Sequence, residues 1–136
     1  MKRQLLFLPV LFLMASSFGA VPPFNDSLLI GTWKGTSICQ VRPSACNDEI
    51  AVYRISKGEK PGTYHIVMNK VIKDKEEDMA EYDYSFDAKR NSLYCYDEQH
   101  KITLKFTVKG IHMEGVLLFG GNVYRIIKLK KEITQR

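Results

Sequence analysis

The chain has 136 residues, of which 45% are hydrophobic, 11% aromatic and 26% charged. This balance is typical of a folded globular protein and excludes a disordered or membrane-embedded chain, and the length allows one domain. The formal net charge of +5 falls to +3 when Lys2 and Arg3 leave with a predicted signal peptide. Charge alone therefore gives little support to nucleic-acid binding.

Residues 1–20 are typical of a secretory signal peptide. Lys2 and Arg3 precede an apolar run from Leu5 to Met14, and small residues follow. The run of ten residues is too short to span a bilayer. Ser17 and Gly19 fit the small-residue rule for cleavage after Gly19, whereas cleavage after Ala20 would put the large Phe18 at the third position before the bond. The sequence thus predicts a secreted or periplasmic protein that does not span the membrane, with one mature domain at 21–136.

Apolar residues in the rest of the chain recur with a period of two, as in half-buried β-strands. Between Lys101 and Lys109, for example, four apolar residues alternate with lysine and threonine. Similar runs predict eight strands, at Leu29–Cys39, Ile50–Lys57, Thr63–Ile72, Glu81–Asp87, Ser92–Tyr96, Lys101–Lys109, Ile111–Phe119 and Val123–Lys130.

Short turns containing Gly, Pro or Asn separate these strands, and no connection is long enough for a crossover helix. Neighbouring strands should therefore pair antiparallel in chain order. Closure of an eight-stranded meander removes both exposed edges. We expect an all-β fold, an eight-stranded antiparallel up-and-down barrel, with a two-sheet β-sandwich as the alternative.

The first strand opens with Gly31, Trp33 and Gly35 in a G-x-W-x-G pattern, and Arg125 lies in the last strand. The pattern resembles the calycin superfamily, in particular a minimal lipocalin-like barrel. In those proteins a basic residue of the final strand lies across the tryptophan. Trp33 and Arg125 both fall on inward positions, so we expect the first and last strands to pair and the Arg125 guanidinium to lie within about 6 Å of the indole. Nitrobindin-type haem barrels share the G-x-W-x-G opening, but only His112 could bind a haem iron here, and no cofactor is predicted.

Three cysteines are present, an odd number for an exported protein. Cys39 ends the first predicted strand and Cys46 precedes the second, so a disulfide between them would close one hairpin loop. The alternative pairs Cys95 with one of these two. We predict the Cys39–Cys46 bond, with Cys95 a free buried thiol.

Catalytic and metal sites find little support in the sequence. No paired carboxylates or nucleophile motif is present, and the three histidines lack metal-ligand spacing. The run Lys73–Glu81 is interpreted as a solvated loop. The sequence therefore predicts neither an enzyme nor a metal protein. Solvent-exposed outer faces or protection of strand edges explain the lysine-rich strands, so no nucleic-acid partner is predicted. The lysines concerned are Lys101, Lys105, Lys109, Lys128, Lys130 and Lys131.

The barrel interior is the expected ligand site, because a barrel of this size can enclose one small molecule. The hypothesis is a cavity that binds a small apolar or amphipathic molecule. Gly115, which lacks a side chain on the inner face, would leave space. Alternatively the aromatic residues fill the barrel, and the protein is a structural module or binds a protein partner. The residues expected to line the cavity are Tyr64, Ile66, Met68, Tyr82, Tyr84, Phe86, Leu104, Phe106, Met113 and Leu117.

Overall fold

A computed structural model describes residues 16, 17, 19, 24–42 and 45–134. The predicted signal peptide at 1–20 therefore lies almost wholly outside the described residues. A 3₁₀ turn at Asp26–Leu28 precedes a closed antiparallel barrel in which each strand pairs with the next and β8 pairs with β1. No helix among the described residues is long and apolar enough to cross a membrane. The strands are β1 (Gly31–Cys39), β2 (Glu49–Lys57), β3 (Thr63–Ile72), β4 (Lys75–Asp87), β5 (Ser92–Asp97), β6 (Ile102–Lys109), β7 (His112–Phe119) and β8 (Asn122–Lys131).

The closed barrel confirms the predicted fold class and is not the two-sheet sandwich. Most predicted strand bounds agree with the structure within two residues, but the interpretation of Lys73–Glu81 as a loop is wrong. Lys73 and Asp74 adopt φ values of 49° and 63°, as a two-residue hairpin turn requires, and β4 begins directly after them at Lys75. The charged residues at the start of β4 are exposed. Because they are polar on both faces, the sequence pattern did not predict a strand there.

The two ends of the barrel are built differently. At the Trp33 end, the indole Nε1 donates a hydrogen bond to the carbonyl oxygen of Leu29 at 2.9 Å. Asp26 accepts hydrogen bonds from the Tyr64 hydroxyl and from Lys57 Nζ, which attaches the 3₁₀ turn to the barrel. The opposite end carries the Cys39–Cys46 loop and is called the disulfide end below.

Aromatic rings meet across the barrel axis. Tyr53 on β2 contacts Phe106 on β6 edge to face, with 6.1 Å between ring centroids, and Phe106 lies 6.0 Å from the ring of Tyr84 on β4. The Tyr84 hydroxyl then donates to Met68 Sδ at 3.3 Å. Because β2 and β6 are not neighbours in the sheet, the first of these contacts must cross the interior. The centre of the barrel is filled by side chains.

The expected contact between Arg125 and Trp33 is wrong, although both residues are buried and β1 does pair with β8. In the register of these strands Trp33 lies opposite Lys131, and Arg125 lies opposite Cys39. The two side chains are thus separated by six residues along the strands, or roughly 20 Å. Lys131 Nζ lies 5.9 Å from the Trp33 ring centroid instead. A basic residue of the last strand does lie against the tryptophan, but it is the last residue of β8.

Arg125 lies in a polar cluster at the disulfide end. Its guanidinium donates to the carbonyl oxygens of Ser37 and Asn47, at 3.3 and 3.0 Å, and to Glu49 Oε1 at 3.2 Å. Lys70 Nζ lies 3.7 Å from the same carboxylate oxygen. The inner face therefore changes from aromatic at the centre to charged at this end.

The disulfide prediction is confirmed. Cys39 and Cys46 are bonded with their Cα atoms 6.0 Å apart, and Cys95 is a free buried thiol. A disulfide is consistent with an oxidising, extracellular environment.

Cys95 is expected to resist alkylation in the folded protein. Burial, with smaller contributions from Asp97 and Asp83, raises the pKa of its thiol to about 11. Only the thiolate reacts, so iodoacetamide at pH 8 should modify Cys95 roughly a hundredfold more slowly in the native protein than in denaturant. Mass spectrometry of timed samples measures both rates. Equal rates would show that the thiol is open to solvent.

Candidate ligand-binding groove

A groove of about 920 Å³ runs over the β4–β8 side of the barrel, and we call it the outer groove. Most of its strand residues are exposed side chains on the outer face of the barrel. Leu93 and Phe106 of the inner layer also border it. The outward-facing strand residues that line it include Ser85, Tyr94, Lys105, Thr107, Glu114, Val116 and Ile126.

The strand register places four of these residues side by side. Tyr94 lies opposite Lys105, Lys105 opposite Val116, and Val116 opposite Ile126. Neighbours of this kind have Cβ atoms about 5 Å apart. One continuous row therefore crosses β5 to β8 and forms the floor of the groove, with Lys105 as the cation among Tyr94, Val116 and Ile126.

Gly115 shapes the same region. A Cβ atom there would lie 2.3 Å from the Lys105 carbonyl oxygen and 2.3 Å from a ring carbon of Phe106. Glycine thus lets β7 approach β6 closely while Phe106 packs beneath it. Gly115 was expected to leave interior space, but the Phe106 ring takes up the position that a side chain would occupy.

Cations predominate at the borders of the groove. Lys105 Nζ lies 6.0 Å from the centroid of the Tyr94 ring, and Arg90, Lys109 and His112 line the part of the groove at the Trp33 end. Neither Lys105 nor Lys109 forms a salt bridge with any residue of the described ranges 24–42 and 45–134.

Two acidic residues also border the groove. Asp87 accepts hydrogen bonds from the backbone amides of Lys89 and Arg90, so its carboxylate is engaged in its own turn. Glu114 lies opposite Lys128. An apolar floor beside unpaired lysines suits a ligand with an apolar body and an anionic head.

No family model, curated protein or solved structure matches this chain.

The ten residues predicted to line an interior cavity all lie on inner-face positions. Seven of them are buried and three are partly buried. Their contacts with one another build the core, as those between Tyr84, Phe106 and Met68 show. Two of the ten, Phe86 and Phe106, also border the outer groove. Interior ligand binding itself stays a prediction.

The histidines occur on strand surfaces and in turns. His65 Nδ1 lies 2.8 Å from Asp83 Oδ1, and Nε2 lies 3.4 Å from Glu81 Oε2. The hydrogen bond to Asp83 raises the pKa of the imidazole above its ordinary value. His100 contacts Asp97 in a similar exposed pair. Within the described part of the chain, no three His, Cys, Asp or Glu side chains gather as a metal site would require.

The groove was not predicted from the sequence, because the alternation of apolar and polar residues predicts that outward-facing strand positions contact water. Tyr94 and Tyr96 nevertheless occupy such positions and are 46% and 50% exposed, and Val116 and Ile126 follow on neighbouring strands. Large apolar residues at solvent-facing positions of adjacent strands were the available signal.

Proposed function

We propose that this protein is an exported, minimal lipocalin-like barrel of calycin type that binds a small amphipathic molecule. The ligand occupies the outer groove, with its apolar part on Tyr94, Val116 and Ile126 and its anionic group near Lys105. The observation that carries the proposal is this row of three apolar residues with Lys105 among them, in a groove of about 920 Å³. The volume is within the range usual for small-molecule sites.

The filled interior supports a site on the outer face. The contacts from Tyr53 through Phe106 to Tyr84 occupy the barrel axis, so a ligand there would have to displace aromatic rings. Interiors packed in this way resist such rearrangement. A ligand in the outer groove would leave the core intact.

The calycin assignment rests on three features. The chain forms a closed eight-stranded barrel, Trp33 lies near the start of β1, and a basic residue of the last strand, Lys131, lies over its ring. Export is supported by the Cys39–Cys46 disulfide together with the signal-like residues 1–20.

The test is a calorimetric titration with laurate below its micelle concentration, after a screen of a lipid extract by native mass spectrometry. Tyr94→Ser and Lys105→Gln should each raise the Kd about fivefold or more, since each removes about 1 kcal/mol of contact energy. The matched controls are Tyr96→Ser and Lys75→Gln, which change exposed residues of the same two types outside the groove. Equal effects of the groove variants and the controls would contradict the proposal.

Protein binding by the same face is the second candidate. The apolar row continues past the groove, because Ile126 lies opposite Ile38 on β1 and both side chains are exposed. Five adjacent strands thus present one row, which is longer than a small molecule needs. Failure to bind any amphiphile would favour this interpretation.

A further inference from the structure

Three isoleucines from distant parts of the chain meet at the Trp33 end, and we call them the isoleucine cluster. Ile30 precedes β1, Ile111 lies in the turn between β6 and β7, and Ile133 follows β8. All three border one groove of about 500 Å³. They are 39%, 38% and 71% exposed, respectively. A soluble surface seldom gathers exposed large apolar side chains in this way without a binding role.

Directly beside the isoleucine cluster, four basic residues form one row across four strands, called the basic row below. Lys109 lies opposite His112, His112 opposite Lys130, and Lys130 opposite Lys34. All four side chains are exposed. Like charges directly opposite one another disfavour the sheet. Lys130 and Lys34 are such a pair, so fold stability does not explain why these two lysines lie opposite each other.

Among the described residues, the three lysines of the basic row lack ion-pair partners, although Lys34 acts electrostatically on Glu76 on β4. In the ranges 24–42 and 45–134, none of the three forms a salt bridge. Glu132, two residues from Lys130, acts electrostatically on Arg54 on β2, and Glu114, two residues from His112, lies opposite Lys128 on β8. Ile111 is adjacent to His112, and Ile133 is three residues from Lys130, so apolar and cationic groups lie within roughly 10 Å.

We propose that the Trp33 end docks on an anionic lipid surface. The isoleucine cluster enters the head-group layer, and the lysines of the basic row contact lipid phosphates. A row of one charge sign fits a surface that is uniformly anionic. The surface of a protein partner would more commonly carry charges of both signs, and the surface that binds it would then carry both signs as well. This proposal is independent of ligand binding in the outer groove.

The experiment is co-sedimentation of the mature protein at low salt with vesicles of phosphatidylcholine alone or of equimolar phosphatidylcholine and phosphatidylglycerol. We expect binding to the anionic vesicles that weakens as salt is raised. The double variant Ile111→Ser/Ile133→Ser should reduce the partition coefficient about tenfold or more, because it removes two apolar side chains from the contact. The control, Ile72→Ser, changes an isoleucine that is 39% exposed at the disulfide end and should bind as the wild type does.

Charge variants test the basic row. Lys109→Gln/Lys130→Gln should weaken binding about thirtyfold, since each lysine near an anionic surface contributes about 1 kcal/mol. Lys75→Gln/Lys101→Gln, at the disulfide end, is the matched control. Lys109 also borders the outer groove, so the isoleucine variants, which leave that groove unchanged, separate the two proposals. Tyr94→Ser should bind vesicles normally.

Three results would overturn the proposal. The first is equal sedimentation with and without anionic vesicles. The second is an Ile72→Ser variant that loses as much vesicle binding as the cluster variant does. The third is binding to soluble polyglutamate with no binding to vesicles, which would assign the surface to an acidic protein partner.

Discussion

Arg125→Met is expected to lower the free energy of unfolding by about 2 to 3 kcal/mol. The guanidinium is buried and donates to two backbone carbonyls and to Glu49. Its loss leaves these acceptors without their donor and leaves the partly buried Glu49 carboxylate with Lys70 as its remaining ion-pair partner. Urea denaturation followed by circular dichroism measures the change.

A double variant distinguishes the cost of an unpaired charge from that of lost packing. Arg125→Met/Glu49→Leu removes both charges and should be more stable than Arg125→Met alone, because an apolar pair often replaces a buried ion pair without penalty. Lys128→Met, on the exposed face of the same strand, should change stability by less than about 0.5 kcal/mol. An unfolding midpoint for Arg125→Met that equals the wild-type value would contradict the role of Arg125 in the polar cluster.

Gly35→Ala is expected to destabilise the barrel by about 3 kcal/mol or more. A Cβ atom at Gly35 would lie 1.9 Å from the Lys128 carbonyl oxygen and 2.9 Å from the Leu129 Cα atom. Both are backbone atoms of β8, so neither can move aside as a flexible side chain would. The substitution therefore forces apart the two strands that close the barrel.

The control for Gly35→Ala is Thr36→Ala, on the neighbouring outward position of β1, where the side chain is exposed. Thr36→Ala should leave the thermal midpoint nearly unchanged, whereas Gly35→Ala should lower the midpoint by about 10 °C or more. In a chain of this length each kcal/mol of destabilisation lowers the midpoint by about 4 °C. Similar midpoints for the two variants would mean that β1 and β8 are less tightly paired than the structure shows.

The period-two pattern predicted the fold because each strand has one buried face and short turns join the strands. The strand from Ile102 to Lys109 illustrates this, with alternating buried and exposed residues over most of its length. Strand register could not be predicted in the same way. Alternation places Trp33 and Arg125 on the inner face, but their relative depth depends on the register of β1 against β8, which places Lys131 opposite Trp33 and Arg125 opposite Cys39.

The candidate site was harder to predict than the fold, for a related reason. Polarity assigned the charged start of β4 to a loop, although its backbone pairs with β3 from Lys75 onward. The same criterion treated the outer face as solvated surface. The row from Tyr94 to Ile126 becomes continuous only when the register of four strands is known. Sequence indicates which face a residue occupies, whereas the groove depends on which residues are neighbours across strands.

Chemical-shift mapping tests the central claim most directly. Backbone amide spectra of ¹⁵N-labelled protein comprising residues 21–136, recorded during a titration with laurate, show where a bound amphiphile lies. A ligand in the outer groove predicts the largest shifts at Tyr94, Lys105 and Val116. Largest shifts at the core residues Met68, Tyr84 and Leu104, or saturating binding without shifts around the groove, would contradict the account of a filled barrel that binds its ligand on the outer face.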